Sequence, residues 1–344
     1  MDKLRFGVIG LGIMGRQYVK IYAGLPTTEV TAVADMNTER AEEVGTKYGV
    51  ANRYTDYRKM LDEAPLDAVV VATPDFAHFE PARAVLESGR HLAVEKPMTT
   101  SVEEADALLR IARASGRRVQ VNYNHRWLGP YHHGKQAILA GEIGTPLAAY
   151  ARKNDTIFVA TEYLPWAAKS TPAWFLSAHD LDLLRWYFAA EPVEARAWGR
   201  REVLVKRGID TYDLIQAQVK FSSGAIATVE SAWIYPNTFP TLVDSFVEVI
   251  GSEGHLHFDR KRESIEVSSP KGFTYPKNFL SAEIFGRARG AFPACLEDFP
   301  AAILEERDPF VTAFDGRQVT AALDAIHRSL ESGATETVTP PPGD

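Results

Sequence analysis

The 344-residue chain carries 38 basic and 45 acidic side chains, a formal net charge of −7, and 45% hydrophobic residues. That balance suits a globular protein of two domains and disfavours a nucleic-acid surface, so Arg200-Arg201 and Lys261-Arg262 read as solvated faces. The single cysteine, Cys295, excludes an internal disulfide and reads as a small core residue. No run of about twenty apolar residues marks a membrane span.

The first apolar run, Leu4 to Ile9, follows Met1-Asp2-Lys3 directly, which leaves no room for a signal peptide and implies a cytoplasmic protein. It leads into Gly10-Leu11-Gly12-Ile13-Met14-Gly15, then a helical pattern, then Val30 to Ala34, which stops at Asp35. This strand–glycine loop–helix–strand–acid order predicts a dinucleotide-binding unit. Gly10 permits the tight turn, Gly12 lets the backbone approach a pyrophosphate, and Gly15 lets the helix lie close on the sheet. The helix N-terminus, with Ile13 and Met14, offers N–H groups to the phosphates. Asp35 follows Gly15 by twenty residues, where an acid bonds a ribose 2′-hydroxyl and repels a 2′-phosphate. Met36 comes next rather than an arginine, and Arg40 is five residues on, so NAD is expected over NADP.

Further strands are predicted at 68–72, 91–94 and 118–121, with helices near 13–23, 37–48, 56–63, 77–88 and 101–115. The alternation implies a parallel sheet covered on both faces. Ser101 with Glu104 forms a capping box, and Gly116 closes that helix. After residue 123 the pattern changes. Helices are predicted near 128–140 and 173–188, then strands near 193–199, 212–221, 225–234, 244–251 and 255–258, then helices near 289–305 and 315–332. Ser222-Ser223-Gly224 and Gly251-Ser252-Glu253-Gly254 are turns. The run of strands suggests a mostly antiparallel sheet with one face free to meet a partner. The expected division is 1–122, 123–334 and a loose tail, 335–344, with three consecutive prolines.

Two strand ends carry chemistry. Residues 68–72 run into Thr73-Pro74-Asp75-Phe76-Ala77-His78, and 91–94 run into Glu95-Lys96-Pro97. Ligands of open parallel sheets bind beyond the carboxyl ends of strands, so both segments point at the crevice opened by the glycine loop. Pro97 restricts Lys96 to an extended backbone, which fixes where the lysine points. Among the histidines, His132-His133 lack the spacing of a helical metal pair, and His255 and His257 lack a third ligand, so no metal site is expected.

These motifs resemble the Gfo/Idh/MocA oxidoreductases: Gly10-x-Gly12-x-x-Gly15, Thr73-Pro74 with His78 four residues on, and Glu95-Lys96-Pro97. The likeness continues through Asn124, Arg126 and Pro130, through His179-Asp180-Leu181-Asp182, and to the helix beginning near Asp315-Gly316. It implies an N-terminal Rossmann domain with a doubly wound parallel sheet. It also implies a C-terminal α/β domain whose large, mostly antiparallel open sheet joins subunits into a homodimer or homotetramer. The implied activity is NAD-dependent oxidation of a sugar, sugar derivative or cyclic polyol. Lys96 would stand between nicotinamide and the substrate hydroxyl and share its proton with His179. Glu95 would lie near the nicotinamide ribose, and Thr73, Pro74 and His78 would line the cofactor. Asn124, Arg126 and Tyr235 would lie with the substrate, and Trp166 offers an aromatic face. Many relatives carry an aspartate one helical turn before this histidine; here that position is Phe175. Asp155 is a candidate replacement, whereas Asp182 is expected in an ion pair, for example with Arg185, and Asp180 points elsewhere on an ideal helix. Two alternatives follow: NAD-assisted glycoside cleavage or elimination with no net redox change, and dinucleotide sensing without turnover.

Overall fold

The computed structural model describes residues 3–343 and contains two compact units. Met1, Asp2 and the last residue of the predicted tail, Asp344, lie outside the described residues. The first unit runs through Tyr123 and takes back Pro293–Arg317; the second holds Asn124–Phe292 and the chain from Gln318 onward.

The first unit alternates β1 (Leu4–Ile9), α1 (Ile13–Gly24), β2 (Thr28–Ala34), α2 (Thr38–Tyr48), β3 (Asn52–Tyr54), α3 (Tyr57–Glu63), β4 (Ala68–Val71), α4 (Phe79–Glu87), β5 (His91–Val94), α5 (Val102–Ser115) and β6 (Val119–Val121). All six strands are parallel, in the order β3-β2-β1-β4-β5-β6, a doubly wound sheet. β4 is buried along its whole length, as a strand covered on both faces must be. Local chemistry sets the helix ends. Asn37, Asp56 and Ser101 each accept a backbone N–H at a helix start, and Gly49 and Gly116 close helices in the left-handed conformation. β3 has no counterpart in the sequence prediction, because three residues at a sheet edge carry too little periodicity.

The returning segment is a correction to a boundary drawn at one point of the chain. Its helix α8 (Ala291–Leu304) buries Cys295, Leu296 and Phe299, and the Phe299 ring meets Phe6 of β1 edge-on at 6.0 Å. Arg317, in the helix Ala313–Ser332 that ends the fold, is fully buried and reaches Asp106 of α5 at 2.7 Å.

The second unit contains α6 (Gly129–Leu139), β7 (Pro146–Thr156), α7 (Ala178–Phe188), β8 (Pro192–Arg200), β9 (Leu214–Phe221), β10 (Ile226–Tyr235), β11 (Val243–Gly251) and β12 (His255–Asp259). Two small hairpins, within 267–274 and 282–289, precede α8, and the helix at 313–332 is α9. The large sheet is completed by Glu336–Thr337, which pairs antiparallel with β8. Only β7 and β10 run parallel; the other neighbours are antiparallel. Where the prolines predict a loose tail, residues 336–338 are held. Val338 donates its N–H to Val193 and is buried, which satisfies the edge of β8. β7, central to this sheet, is absent from the predicted strands. Its first half is alanine-rich and its second half is Arg152-Lys153-Asn154-Asp155, so neither half looks like a strand alone. Among the described residues, no helix is long and apolar enough to cross a membrane.

α9 is tied to the segment before α7 by His327. Its Nδ1 donates to the Leu323 carbonyl at 2.7 Å, its Nε2 meets the Thr171 hydroxyl at 2.8 Å, and its ring stacks on Trp174 at 4.8 Å. Trp174 is therefore a packing residue. Burial pushes the His327 pKa down from 6.5 to about 4. The unfolded chain binds the extra proton between these values, so this histidine's contribution is whole above pH 6.5 and lost as pH falls toward 4. The loss approaches about 3 kcal/mol at the acid end. Urea midpoints measured across this range should slope less in His327→Gln than in the parent; parallel curves would refute the assignment.

Candidate functional site

The glycine loop is built by contact distances. Gly10 has φ +85°, and a Cβ there would lie 2.8 Å from the Ala72 backbone. A Cβ on Gly15 would fall 1.8 Å from the Gly10 carbonyl oxygen, so α1 can lie this close only as glycine. Gly12 is the opposite case: a Cβ there meets nothing within 4 Å. Gly12 caps α1, whose first turn, Ile13 and Met14 included, carries no acidic residue. This open backbone beside a helix N-terminus fits a pyrophosphate. Asp35, at the end of β2, accepts from Leu11 N at 2.7 Å and Asn37 N at 2.9 Å, and pairs with Arg40 at 3.3 Å. Its carboxylate is thus fixed at the tip of the second strand, where a ribose is held in such sheets, and Met36 beside it is exposed.

Lys96 is the one half-buried residue in an otherwise buried run, 92–99. The run leaves β5 beside the end of β4, with Val94 opposite Val71. Glu95 does not present a spare carboxylate to a ribose. It is buried, accepts from the Tyr18 hydroxyl at 3.0 Å and Asn122 Nδ2 at 2.6 Å, and takes the Lys96 N–H at 3.2 Å. Burial, followed by the charge of Glu95, holds the Tyr18 hydroxyl well above its usual pKa, which keeps it a donor. Cys295 packs behind this group, with Sγ 3.4 Å from Asn122 Oδ1. His78 does not turn a ring nitrogen to the cofactor side: its two nitrogens meet the carbonyls of Pro97 at 2.7 Å and Thr73 at 2.9 Å. The Thr73 hydroxyl donates to Ala77 O at 3.0 Å, and Pro74 begins the short turn before α4.

In the second unit, His179 opens α7 half-buried, and its ring stacks on His125 at 4.3 Å and 13°. Phe175, one turn earlier, packs with Trp166 and Trp233 at 6.1 and 6.4 Å, against a cluster that includes Val159 and Leu164. Position 175 thus belongs to an apolar wall. Asp182 takes Arg126 in a two-point pair at 2.5 and 2.9 Å, and Arg185 pairs with Glu191. Arg126, expected from the sequence beside the substrate, is thereby held by a buried carboxylate. Asp180 is fully buried and pairs with Lys153 of β7. Burial raises the Asp180 pKa and the lysine opposes it. Asp155 lies two residues beyond Lys153 on the same side of β7, also buried. Burial and then the Asp155 charge raise the Tyr163 hydroxyl. Asn124 is buried at the start of this unit. Tyr235 goes elsewhere: its hydroxyl accepts from Asn154 at 3.0 Å, and Asn154 alternates with Lys153 onto the opposite face of the sheet.

The structure therefore groups Gly10, Gly12, Ile13, Met14, Gly15 and Asp35 at one edge of the first sheet, with Thr73, Pro74, Glu95 and Lys96 on the ends of β4 and β5. It separates Tyr235 from Lys153 and Asp155. Lys153 and His125 have no place in the sequence prediction. A signal for Lys153 existed, since Ala149, Ala151, Lys153 and Asp155 share one face once β7 is recognised. Nothing in the sequence announced the histidine stack. Among the described residues, no group of three or more His, Cys, Asp or Glu could hold a metal.

Residues 4–123 match the model of an oxidoreductase family with an NAD-binding Rossmann fold, GFO_IDH_MocA, and residues 131–257 match the GFO/IDH/MocA C-terminal domain. The chain is 29% identical over 320 residues to scyllo-inositol 2-dehydrogenase (NAD(+)) of Bacillus subtilis (strain 168), covering 91% of this chain and 90% of that one. It is 27% identical over 333 residues to inositol 2-dehydrogenase of Rhizobium meliloti (strain 1021), covering 95% and 97%. The solved structure of scyllo-inositol dehydrogenase from Lactobacillus casei, with bound NAD(H) and scyllo-inositol, shares the fold at a TM-score of 0.85 and 22% identity, over 98% of this chain and 99% of that one.

The first unit is an NAD-binding Rossmann domain. Asp35→Ala removes a charge-assisted acceptor worth about 1.5–3 kcal/mol, so NAD binding should weaken about 10- to 100-fold, with a smaller loss for NADP. Titration of intrinsic fluorescence with each dinucleotide measures both; unchanged NAD affinity would remove Asp35 from the site.

Proposed function

This chain belongs to the Gfo/Idh/MocA oxidoreductase family, whose members named here are NAD-dependent dehydrogenases acting on hydroxyl groups, and we propose that it oxidises a hydroxyl of a cyclic polyol or sugar. The observation that carries the reading is Lys96, held half-exposed at the carboxyl end of β5 by buried neighbours on both sides. NAD, when bound, would be held by Gly12, Ile13, Met14 and Asp35 and would supply the hydride acceptor. The Lys96 ammonium donates to the substrate oxygen and orients the carbon that loses hydride. As that oxygen becomes a carbonyl, its proton passes to the His179 imidazole. Asp155 supplies an acceptor group for substrate hydroxyls, and Trp166 with Phe175 supplies an apolar face for a ring.

We further propose that subunits meet through the face of the second sheet turned away from α7, where Trp198, Ile226 and Ile250 are exposed. Sedimentation should give a dimer or tetramer, dissociated by paired Trp198→Glu and Ile226→Glu substitutions; a monomeric parent would overturn it.

The purified protein, given NAD and a panel of inositols and sugars, should form NADH with at least one member. Lys96→Ala should lower kcat about 100-fold or more while leaving the NAD dissociation constant within a few-fold. Full turnover in that variant would sink the role of Lys96. Product formed by bond cleavage without NADH would instead favour catalysis with no net redox change.

A further inference from the structure

His78 and His327 make contrasting demands on an imidazole. His327 faces one carbonyl and one hydroxyl, which a single neutral tautomer satisfies by donating once and accepting once. His78 is 1% exposed and faces two carbonyls, Pro97 O at 2.7 Å and Thr73 O at 2.9 Å. A neutral ring has one N–H for these two acceptors, whereas the doubly protonated ring has one for each. The backbone that carries the ring is anchored, because the His78 carbonyl accepts the Ala82 N–H at 3.0 Å at the start of α4. Thr73 belongs to the loop after β4 and Pro97 to the loop after β5. The His78 ring thus joins those two loop backbones through both its ends, from the N-terminus of α4. On the other side of Lys96, Glu95 takes the Lys96 N–H and is itself fixed by Tyr18 and Asn122.

We propose that His78 is a positioning residue for Lys96: by tying the Pro97 carbonyl to Thr73 and to α4, it fixes the backbone from which the lysine reaches substrate, and does not itself contact the cofactor. This rests on the role given to Lys96 above.

The test compares His78→Phe, which keeps a ring without donors, with His78→Gln, which keeps one donor. In the protein without added NAD, amide exchange over residues 95–99 should quicken at least tenfold in His78→Phe and less in His78→Gln. With NAD and scyllo-inositol, or the panel member turned over fastest, His78→Phe should lose tenfold or more in kcat with KM for NAD changed less than threefold, and His78→Gln should recover part of the loss. Unaltered exchange and kcat in either variant would overturn the inference. So would a rise in KM for NAD at constant kcat, which would make His78 a cofactor contact. If His78→Phe does not fold, His78→Gln alone decides by the same two readouts. Lys96→Ala run alongside separates the failures: an active Lys96→Ala removes the role of the lysine, whereas an inactive one beside fully active His78 variants removes only the role of His78.

Discussion

The first unit depends on the absence of two side chains. The Gly15 backbone lies so near the Gly10 carbonyl that a Cβ would overlap it at 1.8 Å, and Gly10 in turn sits against Ala72 beyond β4. That contact sets the distance of α1 from the sheet. It brings the open backbone at Gly12 to the same edge as Asp35, Thr73 and Lys96. Any side chain at Gly10 or Gly15 would push the helix and its N–H groups away from that edge, so phosphate binding and helix packing are satisfied by one geometry.

The second unit solves a different problem. The inner side of β7 carries Ala149 and Ala151, then Lys153 and Asp155, so an apolar sheet face turns polar along one strand. Charges this deep persist only when paired: Lys153 with Asp180, Arg126 with Asp182. Removing one member of such a pair costs about 3–5 kcal/mol, because its partner stays buried. Adjacent positions of α7 are thereby assigned. Asp180 faces the sheet and Asp182 faces Arg126, while His179, just before them, stacks on His125. Both acids of α7 are engaged in these pairs, and the place of the absent carboxylate belongs to Phe175 and its apolar wall.

What the sequence made legible follows from what each motif needs. The glycine loop, Asp35 and the capped helices depend on neighbours within a few residues, and they stand where periodicity and spacing predict them. Glu95 and His78 were recognisable as motif residues, but their partners are distant in the chain, at Tyr18, Asn122 and Pro97. Motif membership therefore did not disclose that both serve the backbone around Lys96. β7 was hidden because its inner face changes character midway, and the ion pair of Arg126 was not legible because its partner is 56 residues away.

The first unit is discontinuous along the chain, and this orders its birth. Its glycine loop and Lys96 are synthesised early, yet Phe299, which covers Phe6, and Arg317, which neutralises Asp106, are made only after every strand from β7 to β12. A nascent chain that has reached Tyr123 holds all six strands of the sheet, with an apolar flank bare and an acid unmatched. The cofactor half is thus no detachable N-terminal cassette. A transplant limited to residues before 123 leaves its own core behind, and in the cell the cofactor-binding surface reaches its final form only near the end of translation.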